Sequence, residues 1–124
     1  MNVTNKTAIV TGAGSGINLA FASLLLSKGC HVIFADLALR PEAQALVEKH
    51  DGKKDAKAAK AIFVQTDVTE WAQLSRVFEV AEKEFGNVDI VVPGAGVYEP
   101  VSFFANSIYH YSSIYLNVFF SLVQ

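Results

Sequence analysis

Thr7-Ala8-Ile9-Val10-Thr11 is a short apolar, β-branched run halted by Gly12, the pattern of a buried strand. From Ile17 to Lys28 apolar residues recur at helical spacing. Ile17, Ala20, Phe21, Leu24 and Leu25 are expected on one face, and Gly29 closes the helix. His31 to Asp36 is a second apolar run, ending on an acid, and Pro41 suits the first turn of a helix reaching about His50. Residues 51–60 interleave lysines with Asp51 and Asp55, which predicts a solvated connector in preference to a phosphate-binding patch. Ala61 to Gln65 is a third strand, and Thr69 is the expected N-cap of the helix that follows. Trp71, Leu74, Val77, Phe78, Ala81 and Phe85 form its apolar stripe, and Gly86 ends it. Val88 to Val92 is a fourth strand, stopped by Pro93-Gly94-Ala95-Gly96.

Strands that are unbroken apolar runs, alternating with helices, predict a parallel α/β sheet covered on both faces. The expectation is a truncated doubly wound Rossmann fold with strand order 3-2-1-4 and its switch point between strands 1 and 4. Composition agrees with a globular chain: 124 residues, 52% hydrophobic and 18% charged, at a formal net charge of −2. That balance gives no electrostatic reason to expect nucleic acid or an anionic membrane as a partner. The single cysteine, Cys30, excludes an internal disulfide and reads as core filler, and the three histidines show no metal-ligand spacing. The first residues lack the apolar core of a signal peptide, so a cytoplasmic location is expected.

The chemistry concentrates where strands end. Thr11-Gly12-Ala13-Gly14-Ser15-Gly16-Ile17 joins strand 1 to the first helix, where glycines let the backbone approach a pyrophosphate and the helix N-terminus meets its charge. Asp36 closes strand 2, where a carboxylate can accept hydrogen bonds from ribose hydroxyls and would repel a 2′-phosphate. The alternatives are a tight turn without ligand at the glycines and a helix cap at Asp36.

The spacing of Gly12, Gly16 and their neighbours resembles T-G-x-x-x-G-x-G of the short-chain dehydrogenase/reductase family, with Asn18 in place of the final glycine. Asp67-Val68 resembles the family's adenine-binding pair. Pro93-Gly94-Ala95-Gly96 stands where the family shows N-N-A-G, matching at Ala95 and Gly96 but lacking both asparagines. The resemblance covers Lys6 to about Val97, and Ala20 to Gly29 with Asp36 is most similar to NAD-dependent hydroxyprostaglandin-dehydrogenase-type members. It implies NAD as cofactor, held by Thr11, Gly12, Gly14, Ser15, Gly16, Ile17, Asp36, Asp67, Val68, Ala95 and Gly96. It also implies hydride transfer between an alcohol or ketone substrate and the nicotinamide.

The family's acid–base group is a tyrosine with a lysine four positions on, and no Tyr-x-x-x-Lys occurs in these 124 residues. Asn117 alone falls near the position of the family's relay asparagine. The 12 acidic and 10 basic residues all lie at or before Glu99, while half of the aromatic residues crowd into 101–124. The chain therefore divides into an NAD-binding Rossmann half-domain, 1–100, and an uncharged aromatic-rich tail, 101–124. Two origins account for that tail: a retained intron opening at Val101-Ser102, or a divergent helix. An active dehydrogenase half is thus weighed against a non-catalytic nucleotide-binding fragment, one that could associate with full-length family members and poison them. A methyltransferase also carries a glycine-rich first turn and an acid after strand 2, but the motifs after strands 3 and 4 argue against it.

Overall fold

The computed structural model describes residues 2–95. Strands and helices alternate along them: β1 (Thr7–Thr11), α1 (Gly16–Ser27), β2 (His31–Asp36), α2 (Pro41–Lys49), β3 (Ala61–Gln65), α3 (Trp71–Phe85) and β4 (Ile90–Pro93). The strands form one parallel sheet in the order β3-β2-β1-β4. Its register aligns Ile9 with both Ile33 and Val91, and Ile33 with Ile62. This is the doubly wound arrangement expected from the sequence.

Alternation along each strand divides the core in two. Ala8, Val10, Val32 and Phe34 face one layer with Ala22, Leu25 and Leu26 of α1, and Leu46 and Val47 of α2 pack against its rim. Ile9, Ile33, Ala35 and Val64 face the other layer with Val77 and Ala81 of α3. Both sides of β1 are covered, so all five of its residues are buried. Burying side chains such as Ile9, Ile33 and Phe34 stabilises the sheet by roughly 1.5–3 kcal/mol each.

Helix α1 differs from its expected orientation. Leu25 is buried as expected, but Ile17, Phe21 and Leu24 are 84%, 41% and 52% exposed, and Ala22 and Leu26 take their place against the sheet. The segment is apolar nearly all round, so spacing alone does not select a face. Ala22 does, because its small side chain lets the helix lie close to the strands. The helix ends as its sequence implies: Gly29 N–H bonds Leu26 O at 3.0 Å and Cys30 N–H bonds Leu25 O at 3.0 Å, with Gly29 left-handed.

Two boundaries and one buried position also shift. Thr69 is not the N-cap of α3. Its N–H and hydroxyl both donate to Asp67 Oδ1, at 2.9 and 2.6 Å, and Glu70 precedes the first helical residue instead. The Asp67 carboxylate captures the groups that would otherwise cap the helix. Trp71, expected in the core stripe, is 54% exposed, and Leu74 is the first side chain of α3 to be buried. Strand β4 is paired from Ile90, not Val88, because Asp89 spends its side chain on the Thr7 N–H at 2.9 Å while Val88 packs beneath α3. The connector at 53–58 is exposed, as a mixed-charge segment should be.

Candidate functional site

Parallel pairing brings the ends of all four strands to one edge, with Asp36 beside Gln65 and Thr11 beside Pro93. A cleft of about 390 Å³ opens there, lined by Gly12, Ser15, Gly16 and Ile17 after β1, Asp36 and Leu37 after β2, Asp67 and Val68 after β3, and Ala95 after β4. That volume falls within the range of about 300–1,000 Å³ usual for small-molecule sites. The position is the crevice at the switch point, where the strand order turns from β1 outward in both directions.

The wall of the cleft is built around Asp36. Its Oδ2 accepts the Gly14 N–H at 2.8 Å and its Oδ1 the Leu37 N–H at 2.7 Å. Gly14 permits this approach, since a Cβ there would lie 2.7 Å from Asp36 Oδ2 and against the Ala38 carbonyl. Ser15 precedes α1 in extended conformation without a side-chain bond to the helix, and no acid stands in the first turn. Among the described residues only the Asp36 carboxylate, bonded just before the helix, stands at the positive end of α1, which opens on the cleft. Ile17 belongs to this rim, which explains its exposure.

Across the cleft, Asp67 is held rigidly. Hydrogen bonds from the Thr69 hydroxyl and then its N–H keep the Asp67 carboxyl below the usual carboxylate range. Both bonds fall on Oδ1. The Thr11 hydroxyl donates to Val92 O at 3.3 Å and accepts the Ala95 N–H at 3.0 Å, tying β1 to the turn after β4.

The structure thus gathers Gly12, Ser15, Gly16, Ile17, Asp36, Asp67, Val68 and Ala95 around one cleft, with Gly14 and Thr11 braced directly behind it. Gly96 and Asn117 lie outside the described residues, as does the 101–124 segment. Sequence reasoning passed over Asn18 and Thr66, both of which line the cleft. Asn18 carried a signal, being the one polar residue where the glycine pattern ends.

Arg40 borders the glycine turn, its N–H donating to the Gly14 carbonyl at 3.0 Å, while Cys30 and His31 sit away from the cleft. Cys30 is fully buried, and burial, reinforced by the charge of Asp89, pushes its thiol up to about 11, so it is core and not a nucleophile. His31 stacks on Phe85 with ring centroids 4.6 Å apart, and its Nδ1 accepts the Lys60 N–H. Among the described residues no three His, Cys, Asp or Glu side chains gather as a metal site. No helix among them is long and apolar enough to cross a membrane.

A glycine-rich turn, an acid after the second strand and a parallel sheet in the order β3-β2-β1-β4 form a doubly wound Rossmann arrangement. The family model of the short chain dehydrogenases matches residues 6–123, and the chain belongs to that family. It is 41% identical over 100 residues to 15-hydroxyprostaglandin dehydrogenase [NAD(+)] of Macaca fascicularis, a match covering 78% of this chain and 35% of that protein. Galactitol 2-dehydrogenase of Agrobacterium fabrum is 37% identical over 99 residues, covering 80% of this chain and 36% of the relative. The chain therefore spans little more than a third of the length of these curated relatives. Among solved structures, the L-sorbose reductase of Gluconobacter frateurii, complexed with NADPH and L-sorbose, shares the fold at a TM-score of 0.68. That likeness covers 95% of this chain and 47% of the other at 23% identity.

Proposed function

We propose that this chain supplies the NAD-binding part of an alcohol/ketone oxidoreductase, and that the 124-residue chain binds the dinucleotide without itself turning over substrate. The observation that carries the reading is the Asp36 carboxylate, fixed at the mouth of the cleft by the Gly14 and Leu37 N–H groups. A carboxylate so placed accepts from the two hydroxyls of an adenosine ribose and repels a 2′-phosphate. No cation stands in the turn from Gly12 to Gly16 or at Leu37; the nearest, Arg40, follows the end of β2 by four positions and donates its N–H to the Gly14 carbonyl at 3.0 Å. The matched relatives named for NAD(+) favour the same choice, against an NADPH complex for the more distant sorbose reductase.

The rest of the cleft fits the remaining parts of the cofactor. The turn Gly12–Gly16 and the N-terminus of α1 suit a diphosphate. Asp67, with Val68 beside it, suits the amino group of the adenine ring. Thr11 and Ala95 bring backbone close to where the nicotinamide ribose would lie, with Gly96 next in the chain. The nicotinamide, when bound, supplies the hydride acceptor or donor. Proton exchange with an alcohol or ketone needs a positioned group of tuned pKa near neutral pH, worth about 10²–10⁴-fold in rate. The family's tyrosine–lysine pair has no counterpart in this sequence, and Asn117 could at most order water for a relay. A non-catalytic nucleotide-binding role for these 124 residues, including association with full-length family members in the cytoplasm, is the alternative reading.

The test is titration of the chain with NADH and NADPH by fluorescence, followed by incubation with a panel of ketones and secondary alcohols. NADH should bind more tightly, with no turnover. Tighter binding of NADPH would overturn the cofactor assignment. Turnover proportional to protein and lost in Asn117→Ala or Tyr115→Phe would overturn the non-catalytic one.

A further inference from the structure

The turns after β1 and β4 face each other across the floor of the cleft, and one side chain joins them. Asn18, in the first turn of α1, donates its Nδ2 to the Gly94 carbonyl at 2.7 Å. The residues are 76 positions apart in sequence. Gly94 makes room for the contact: a Cβ at that position would stand 2.6 Å from Asn18 Nδ2 and collide with its Oδ1 and Cγ. Gly12 borders the same amide, with a Cβ there falling 3.0 Å from Nδ2. One side chain thus fills the space between the two turns.

The sequence motifs give this contact its meaning. Residue 18 stands where the glycine pattern ends in glycine, and residue 94 stands where the N-N-A-G pattern carries an asparagine. In this chain the amide sits on the opposite side of the gap.

We propose that Asn18 is a positioning residue for the dinucleotide. Its amide, supplied from α1, replaces one that the family pattern places after β4, and it sets the separation of the two turns between which the nicotinamide half of the cofactor passes. The inference rests on the NAD-binding reading above. It does not involve the adenosine end, where Asp36 and Asp67 are held by their own bonds. Loss of the Asn18 amide therefore loosens one half of the site and leaves the other intact.

The experiment compares the full-length chain with Asn18→Gly, Gly94→Asn and the double exchange N18G/G94N, each titrated with NADH and with AMP and each unfolded in urea. Asn18→Gly should weaken NADH about tenfold, the equivalent of roughly 1.4 kcal/mol, and leave AMP within about twofold. Gly94→Asn places two amides in one space and should unfold earlier than wild type. The double exchange should return NADH binding to within about threefold of wild type and recover the unfolding midpoint, so the two substitutions are strongly non-additive. Unchanged NADH affinity in Asn18→Gly, equal losses of NADH and AMP, or a double exchange no better than Gly94→Asn would each overturn the proposal. Failure of the cofactor reading is separate: a wild-type chain that binds AMP but not NADH, or neither, refutes that reading and the positioning role with it. The urea midpoints would still report whether positions 18 and 94 are coupled.

Discussion

Replacing Asp36 by alanine removes two acceptors at once. The Gly14 and Leu37 N–H groups, at 2.8 and 2.7 Å from its two oxygens, lose a charged partner. Hydrogen bonds to charged groups contribute about 1.5–3 kcal/mol each. Asp36 is only half-buried, so water re-solvates part of what is lost. The net cost is about 1–2 kcal/mol, which lowers the Tm of a domain this size by about 5–10 °C. Asp36→Asn keeps one acceptor and turns an NH₂ toward the other N–H, so it should fall roughly midway. Cofactor choice should move with the charge. NADH affinity should drop about tenfold in both variants, while NADPH affinity holds or rises as the repelling carboxylate disappears. Thermal unfolding by circular dichroism and paired fluorescence titrations measure the two effects. An NADH-to-NADPH affinity ratio unchanged in Asp36→Asn, which keeps the shape and removes the charge with one acceptor, would refute the reasoning.

Two further expectations concern groups outside the cleft. With its thiol raised to about 11 and fully buried, Cys30 should resist iodoacetamide at pH 8 in the native chain and label rapidly in denaturant, as mass spectrometry would show. His31 is held below the usual imidazole value of 6.5, by burial first and by the nearby Lys60 charge second. The unfolded chain therefore takes up a proton before the folded one does. Stability should be constant above about pH 7 and fall as pH drops below 6.5, levelling once the folded imidazole is also protonated. His31→Gln should flatten that slope in urea midpoints measured between pH 5 and 8. A slope unchanged in the variant would assign it to the carboxylates instead.

The strands were legible because each is an unbroken apolar run with a punctuating residue at its end: Gly12 after β1, Asp36 closing β2, Pro93 closing β4. Their order followed from the alternation with helices, since right-handed crossovers leave few ways to arrange four parallel strands. The orientation of α1 was not legible, because a helix with apolar residues at 17, 19–22 and 24–26 offers several faces and only packing selects Ala22. The start of α3 escaped because the Asp67 carboxylate takes up the Thr69 hydroxyl and N–H, a contact that composition does not reveal. Asp36 and the glycine turn were readable as chemistry, since their position after buried strands is what that chemistry requires. The Asn18–Gly94 contact was not. Each residue looked like a separate departure from a pattern, and only the fold shows that one accommodates the other.

The cramped space between Asn18 and Gly94 also constrains how such a sequence can arise by descent. A Cβ at 94 would stand 2.6 Å from Asn18 Nδ2 and against its Oδ1 and Cγ, so a side chain there and the Asn18 amide in its present position exclude each other. A lineage carrying the amide after β4 would then either lose it or turn the Asn18 side chain aside on gaining one on α1. A history that loses it first passes through a state without the 2.7 Å bond between the two turns. Position 18 is consequently not free to drift once position 94 has become glycine, and the pair should be inherited together.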